Sequence, residues 1–159
     1  MIVTGTYDIT LVVLSIIIAT MASYAALDLA ARIPASSGWV KHAWFATAAV
    51  AMGGGIWSMH FIGMLAFKLP IDLGYDLSLT VLSLLIAMLS CGFALWLVSQ
   101  PKLPLWQLAF GALVMGSGIS AMHYTGMAAM RMHADLTYDR LFVVLSVVIA
   151  IAASTAALW

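Results

Sequence analysis

Met52-Gly53-Gly54-Gly55-Ile56-Trp57-Ser58-Met59-His60-Phe61-Ile62-Gly63-Met64 aligns without a gap on Met115-Gly116-Ser117-Gly118-Ile119-Ser120-Ala121-Met122-His123-Tyr124-Thr125-Gly126-Met127. Met, Gly, Gly, Ile, Met, His, Gly and Met recur identically, and an aromatic ring follows each His. Such self-similarity marks a duplicated unit. Each copy lies near the end of a long apolar run, about Val40–Phe67 and about Leu105–Met130. The runs before them, about Ile9–Ala31 and about Leu77–Ser99, open on Tyr7-Asp8 and Tyr75-Asp76. Asp suits a helix N-cap and Tyr the membrane interface. The repeating unit is therefore a pair of helices. Tyr138-Asp139 opens a fifth run from about Leu141, which reads as the first helix of a third copy whose second helix is missing.

Composition says what surrounds these runs. Hydrophobic residues are 65% and charged residues 8% of 159, against roughly a quarter charged in a soluble domain. A span needs about 20 apolar residues, and all five runs approach or exceed that. The fold class is all-α: a polytopic transmembrane bundle of about five helices. Residues 1–159 form one domain, and the expectation is that C-terminal helices and any output module lie outside the sequence. Turns fall at Arg32, Pro34 and Ser36-Ser37-Gly38, at Lys68 and Pro70, and at Gln100, Pro101, Lys102 and Pro104. Short turns make neighbouring helices antiparallel.

The N-terminus lacks a basic stretch and is not a cleavable signal. Arg32, Lys41 and Lys102 fall on one side, and Lys68, Arg131 and Arg140 on the other, so the positive-inside count is tied. The expected orientation has the N-terminus outside. With zero net charge and no basic cluster, nucleic-acid binding is excluded as a function class. Cys91, alone and inside an apolar run, reads as a small buried hydrophobe. The Trp residues read as interface anchors, except Trp57, which reads as packing within the bundle.

Chemistry concentrates at the repeated motif. Residues four apart share a helix face, so His60 pairs with Met64 and His123 with Met127. That face continues through Ile56, Gly53, Ala49, Ala46 and His42 on the second helix. On the fourth it runs through Ile119, Gly116, Ala112 and Ala109, and forward to Met130. Small residues let membrane helices approach closely, so Gly53 and Gly116 are expected in helix packing, with the second and fourth helices facing each other. Neutral imidazole is a common metal ligand, and thioether sulfur selects Cu(I). The set His60, Met64, His123 and Met127 at one depth therefore suits copper. Met59, Met122, Tyr124, Met130 and His42 are further candidates. Tyr124 offers a hydroxyl that its counterpart Phe61 lacks. His133, beyond the fourth helix, has no repeated partner. The sequence contains no Glu, and its Asp residues lie near helix ends, which argues against a carboxylate site for Mg or Mn. The bland alternatives are an interhelical hydrogen-bonding His and a Met that fills space.

Through Met122-His123-Tyr124-Thr125, followed by Gly126-Met127-Ala128-Ala129-Met130, and through its variant Met59-His60-Phe61-Ile62-Gly63-Met64, the sequence resembles the MHYT-domain family of bacterial membrane sensors. The resemblance covers essentially the whole chain. It implies a six- or seven-helix domain in the bacterial inner membrane, with three motif copies near its outer face. It also implies copper held by Met and His, sensing of oxygen, CO or nitric oxide, and fused cytoplasmic diguanylate cyclase and phosphodiesterase modules. The present chain departs from the pattern by lacking a third motif and an output module.

The reading is then a non-enzymatic sensory domain that holds copper, binds a diatomic gas or responds to redox state, and signals to a cyclic-di-GMP output domain. Two alternatives use the same residues. One is a b-type haem protein with His60 and His123 as axial ligands. The other is a copper transporter, which Met spread along whole helices would favour.

Overall fold

The computed structural model describes residues 6–68, 73–100, 104–131 and 139–158. Five helices fill most of that length: α1 (Ile9–Arg32), α2 (Gly38–Ala66), α3 (Leu77–Val98), α4 (Leu105–Ala128) and α5 (Arg140–Leu158). All five are long and apolar enough to cross a membrane, and the protein is a multi-pass membrane protein. Helix boundaries agree with the apolar runs to within about two residues, because the same capping groups stop the runs and the helices. The Asp8 carboxylate accepts from the Thr10 and Leu11 amides. Asp76 accepts from Leu79, and Asp139 from Leu141. Each Asp satisfies amides that have no carbonyl partner in the first turn. Gly38 opens α2 at φ +56, a conformation that glycine adopts without a Cβ penalty.

Among the described residues, four two-residue strands, invisible in the hydropathy pattern, tie the helices into pairs. β1 (Thr6–Tyr7) runs antiparallel to β2 (Phe67–Lys68), and β3 (Gly74–Tyr75) to β4 (Met130–Arg131). Each ribbon joins the start of an odd helix to the end of the next even one, so the two helices of a pair run antiparallel. The Asp8 amide donates to Ala66, and the Asp76 amide to Ala129, both at 2.8 Å. Lys68 pairs with Asp8, and Arg131 with Asp76. Every element of the first clip has its counterpart in the second. Met130, expected at the end of the fourth helix, belongs instead to β4 opposite Tyr75. The helix stops at Ala128 because the chain turns to make this ribbon.

Packing is inside-out relative to a soluble protein. Ala48, Ala66, Ala87, Ala94, Ala112 and Cys91 are buried, while Ile16, Leu27, Leu85, Leu89, Phe110 and Phe142 face outward. Lipid is as apolar as Leu, so close backbone approach rather than hydrophobicity selects the interior residues. A Cβ on Gly53 would lie 2.5 Å from the Met88 Cα on α3, and one on Gly116 would lie 2.6 Å from the Ile151 Cα on α5. A Cβ on Gly55 would strike Ala22 on α1, and one on Gly118 would strike Ser90 on α3. Thus each even helix uses one glycine against the preceding odd helix and another against the following one.

This corrects the expected facing of the second and fourth helices along a common stripe. The glycine stripes of α2 and α4 are taken by α3 and α5, and α3 stands between α2 and α4 over most of their length. Ala46, Ala109 and His42, assigned to that stripe, are exposed. Only at the motif end do α2 and α4 meet directly.

Candidate histidine-methionine site

His60 lies near the end of α2, His123 near the end of α4, and the two rings touch. His60 Nε2 and His123 Nδ1 are 3.1 Å apart, with ring centroids at 4.6 Å and planes inclined by 66°. A hydrogen bond between imidazoles needs one donor and one acceptor, so at least one ring is neutral. Both rings are partly buried. The duplication places the two histidines at one depth, and the slight separation of α2 from α4 at this end brings them together.

Beside the pair is a cavity of about 190 Å³. Ile56, Met59 and His60 line it from α2; Ile119, Ser120, Met122, His123 and Tyr124 from α4; Ser146 and Ala150 from α5. The Tyr124 hydroxyl lies 2.8 Å from Ser146 Oγ. Ser146 donates its own proton to the Val143 carbonyl, also at 2.8 Å, so Tyr124 is the donor. Ser120 donates to the Gly116 carbonyl. The Tyr124 ring also stands edge-on to His123, centroids 4.9 Å apart.

The sequence-selected residues divide. Met59 and Met122 share the cavity with both imidazoles. Met64 lies on another side: its sulfur and His60 Nε2 are both 3.9 Å from where a Gly126 Cβ would sit. Met127 is half-buried one turn beyond His123. His42 is exposed and bonds the Gly38 carbonyl of its own helix. It is 18 residues, or about 27 Å, from His60 along α2, so it belongs to the other membrane face. His133 lies outside the described residues. Ser120, Ser146 and Ala150 escaped the sequence reading. Ser120 was detectable as the departure from Trp57 in the aligned motif, whereas Ser146 and Ala150 sit in an unremarkable apolar helix.

A larger groove, about 410 Å³, lies between α1, α2, α3 and α5. Its walls are Ala, Leu, Ile, Val and Met with Ser23, and among the described residues no titratable group reaches it. Ile56 and Met59 are walls of both spaces. The chemistry is therefore in the smaller cavity.

Among the described residues, no three His, Cys, Asp or Glu side chains converge. The two imidazoles would need thioethers to complete a metal's shell, a donor set suited to Cu(I) rather than a hard ion. The 3.1 Å nitrogen separation is close to the edge of a tetrahedral site, about 3.3 Å for bonds of about 2.0 Å. The residues present fit such an ion.

A family model described as the bacterial signalling protein N-terminal repeat, MHYT, matches residues 53–111 and 116–159. The bifunctional diguanylate cyclase/cyclic di-GMP phosphodiesterase MucR of Pseudomonas aeruginosa is 58% identical over 98% of the chain and 23% of its own length. The cyclic di-GMP phosphodiesterase NbdA of the same organism is 43% identical over 96% of the chain and 19% of its own length. The signaling protein YkoW of Bacillus subtilis is 37% identical over 94% of the chain and 18% of its own length. The chain thus spans less than a quarter of the length of these curated relatives. No solved structure matches it.

Proposed function

The chain belongs to the MHYT family of bacterial signalling proteins, and from that premise we propose that it is an inner-membrane sensory domain holding copper at the His60–His123 pair. The observation that carries the reading is the 3.1 Å contact between those imidazoles. Thioethers flank it on two sides, Met59 and Met122 in the cavity and Met64 toward Gly126. Met127, one turn beyond His123, is the remaining sulfur donor of the set. Copper, when bound, supplies a one-electron couple and affinity for a diatomic ligand such as oxygen, CO or nitric oxide.

The chain's own residues do the rest. Tyr124 links the motif to α5 through Ser146. A change at His123 that moves the adjoining Tyr124 ring alters that bond and the seat of α5. Such a shift of one packed helix against another is the form signalling takes in membrane bundles. The domain acts as a sensor and not as the catalyst. Cyclic-di-GMP turnover belongs by name to MucR and NbdA, most of whose length lies beyond the match. A fused cyclic-di-GMP module is the output that this kinship supports.

Bis-histidine haem is the weaker use of the same residues. A porphyrin needs a slot between its axial imidazoles, and here the rings are in contact. The transporter reading has less support, since among the described residues the larger groove is lined by no imidazole. Metal analysis and an absorption spectrum of protein purified in detergent without chelator test the proposal. Near-stoichiometric copper without a Soret band is expected. A Soret band, or metal-free protein that ignores added Cu(I), refutes it.

A further inference from the structure

We infer that the cavity beside the histidine pair is a binding site for a small uncharged molecule, opened in the second repeat by the loss of a tryptophan that fills the same space in the first. The repeats supply their own control. In the first, the Trp57 indole donates to Ser83 Oγ at 2.8 Å, and Ser83 donates to the Thr80 carbonyl. Phe61 stacks on Trp57 with centroids 5.0 Å apart and planes inclined by 10°. The matching positions of the second repeat are Ser120 for Trp57, Tyr124 for Phe61, Ser146 for Ser83 and Ala150 for Ala87.

The two serines of the odd helices behave alike, each donating to the carbonyl three residues back. Each accepts from the preceding even helix, but from different residues. In the second repeat Tyr124 supplies the proton, one turn further along than the indole would. The two substitutions compensate each other: Tyr124 replaces the lost N–H donor, and Ser120 leaves the indole's volume empty. All four of these second-repeat residues line the 190 Å³ cavity.

The lining defines the ligand class. Among the described residues, no Asp, Lys or Arg side chain reaches the space. The hydroxyl protons of Ser120, Ser146 and Tyr124 are already engaged, so beside the imidazoles the walls offer a guest mainly hydrocarbon and thioether, which disfavours strongly polar guests. An apolar cavity of about 150 Å³ takes xenon or benzene, so a molecule of a few heavy atoms fits here. Ser120 lies eight residues, or about 12 Å, from the end of α4, so the site sits within the membrane-spanning length of that helix. This rests on the sensory reading only for its purpose; the cavity itself needs no copper.

The test uses the chain in lipid nanodiscs with labelled Met and Ala methyls, and xenon as the probe. Xenon is expected to shift the Met122 and Ala150 methyl signals, which belong to this cavity alone, whereas Met59 also faces the larger groove. Ser120→Trp should abolish those shifts, and Trp57→Ser should create a new response at Ala87. If Ser120→Trp does not fold, Ser120→Trp with Tyr124→Phe restores the complete Trp57/Phe61 arrangement in the second repeat. Wild-type protein without xenon shifts, or a folded filled variant that keeps them, overturns the proposal. A second arm follows the CO stretch of Cu(I)-loaded protein, expected in wild type and lost in Ser120→Trp with copper retained. A CO band unchanged in that variant overturns the assignment of this cavity to the sensed ligand. Failure of copper to bind at all, with xenon shifts present, overturns the metal reading and supports the cavity.

Discussion

His60 Nε2 and His123 Nδ1 stand 3.1 Å apart although 63 residues separate them in sequence. Two residues that hold one ion act as a unit and are non-additive when removed. Each of His60→Ala and His123→Ala should therefore abolish most Cu(I) binding, with little further loss in the double variant. His42→Ala, about 27 Å away along α2, should change nothing. Met64→Ala should weaken Cu(I) more than Zn(II), since a soft donor matters chiefly to the soft ion. Competition with a Cu(I) chelator measures all of these. Unaltered affinity in the double variant would leave the pair as an interhelical hydrogen bond.

The glycines separate close packing from mere helix content. Gly53 would place a Cβ 2.5 Å from the Met88 Cα, and Gly116 one 2.6 Å from the Ile151 Cα, so backbone itself must move. At Gly63 a Cβ meets nothing within 4 Å. Gly53→Leu and Gly116→Leu should lower thermal stability in detergent by far more than Leu79→Ala, a cut at a half-buried residue of α3. Gly63→Ala should be neutral or stabilising by up to about 1 kcal/mol through helix propensity. Equal tolerance of Leu at Gly53 and Ala at Gly63 would contradict this packing.

The motif alignment made the duplication, the five helices and the histidine pair legible, because membrane length and repeated side chains are written directly in the sequence. The partners of the glycines were not. Gly53 and Gly116 align with each other, which suggested mutual packing, yet each packs on the odd helix that follows it rather than on the other glycine. The strands were hidden for a different reason. Pairs such as Phe67-Lys68 and Met130-Arg131 are too short to show a period of two, and only their register with Thr6-Tyr7 and Gly74-Tyr75 defines them. The cavity was half legible: the Trp57-to-Ser120 change is plain in the alignment, but its meaning requires Ser83 and Ser146 to be seen beneath it.

The two clips carry a pH dependence with a definite sign. The hydrogen bond from Lys68 holds the Asp8 carboxyl below its ordinary value of 3.8, and that from Arg131 does the same for Asp76. A carboxylate depressed by folding contributes stability that is fully present above its unfolded value and fades as pH falls through the folded one. The clips' contribution to thermal stability should thus be constant from neutral pH down to about 4 and decline below it. Asp8→Asn and Asp76→Asn should flatten the acid limb, and salt should weaken the effect because both pairs are exposed. An acid limb identical in the double Asn variant would place its origin elsewhere.

Topology gives the last prediction. Each ribbon ties the start of an odd helix to the end of an even one, so both clips and both histidines must lie toward the same membrane face. Thr6 and Gly74 mark that face; Ser37 and Pro104, which precede α2 and α4, mark the other. All four positions are exposed. In a Cys91→Ala background, single cysteines at Thr6 and Gly74 should react with an impermeant maleimide from one side of sealed vesicles. Cysteines at Ser37 and Pro104 should react only from the opposite side. Reaction at Thr6 and Gly74 from the exterior of intact cells would also place the histidine pair near the outer face. Reaction of Gly74 from the same side as Ser37 contradicts the antiparallel pairing, since a second ribbon at that face could not then join α3 to α4.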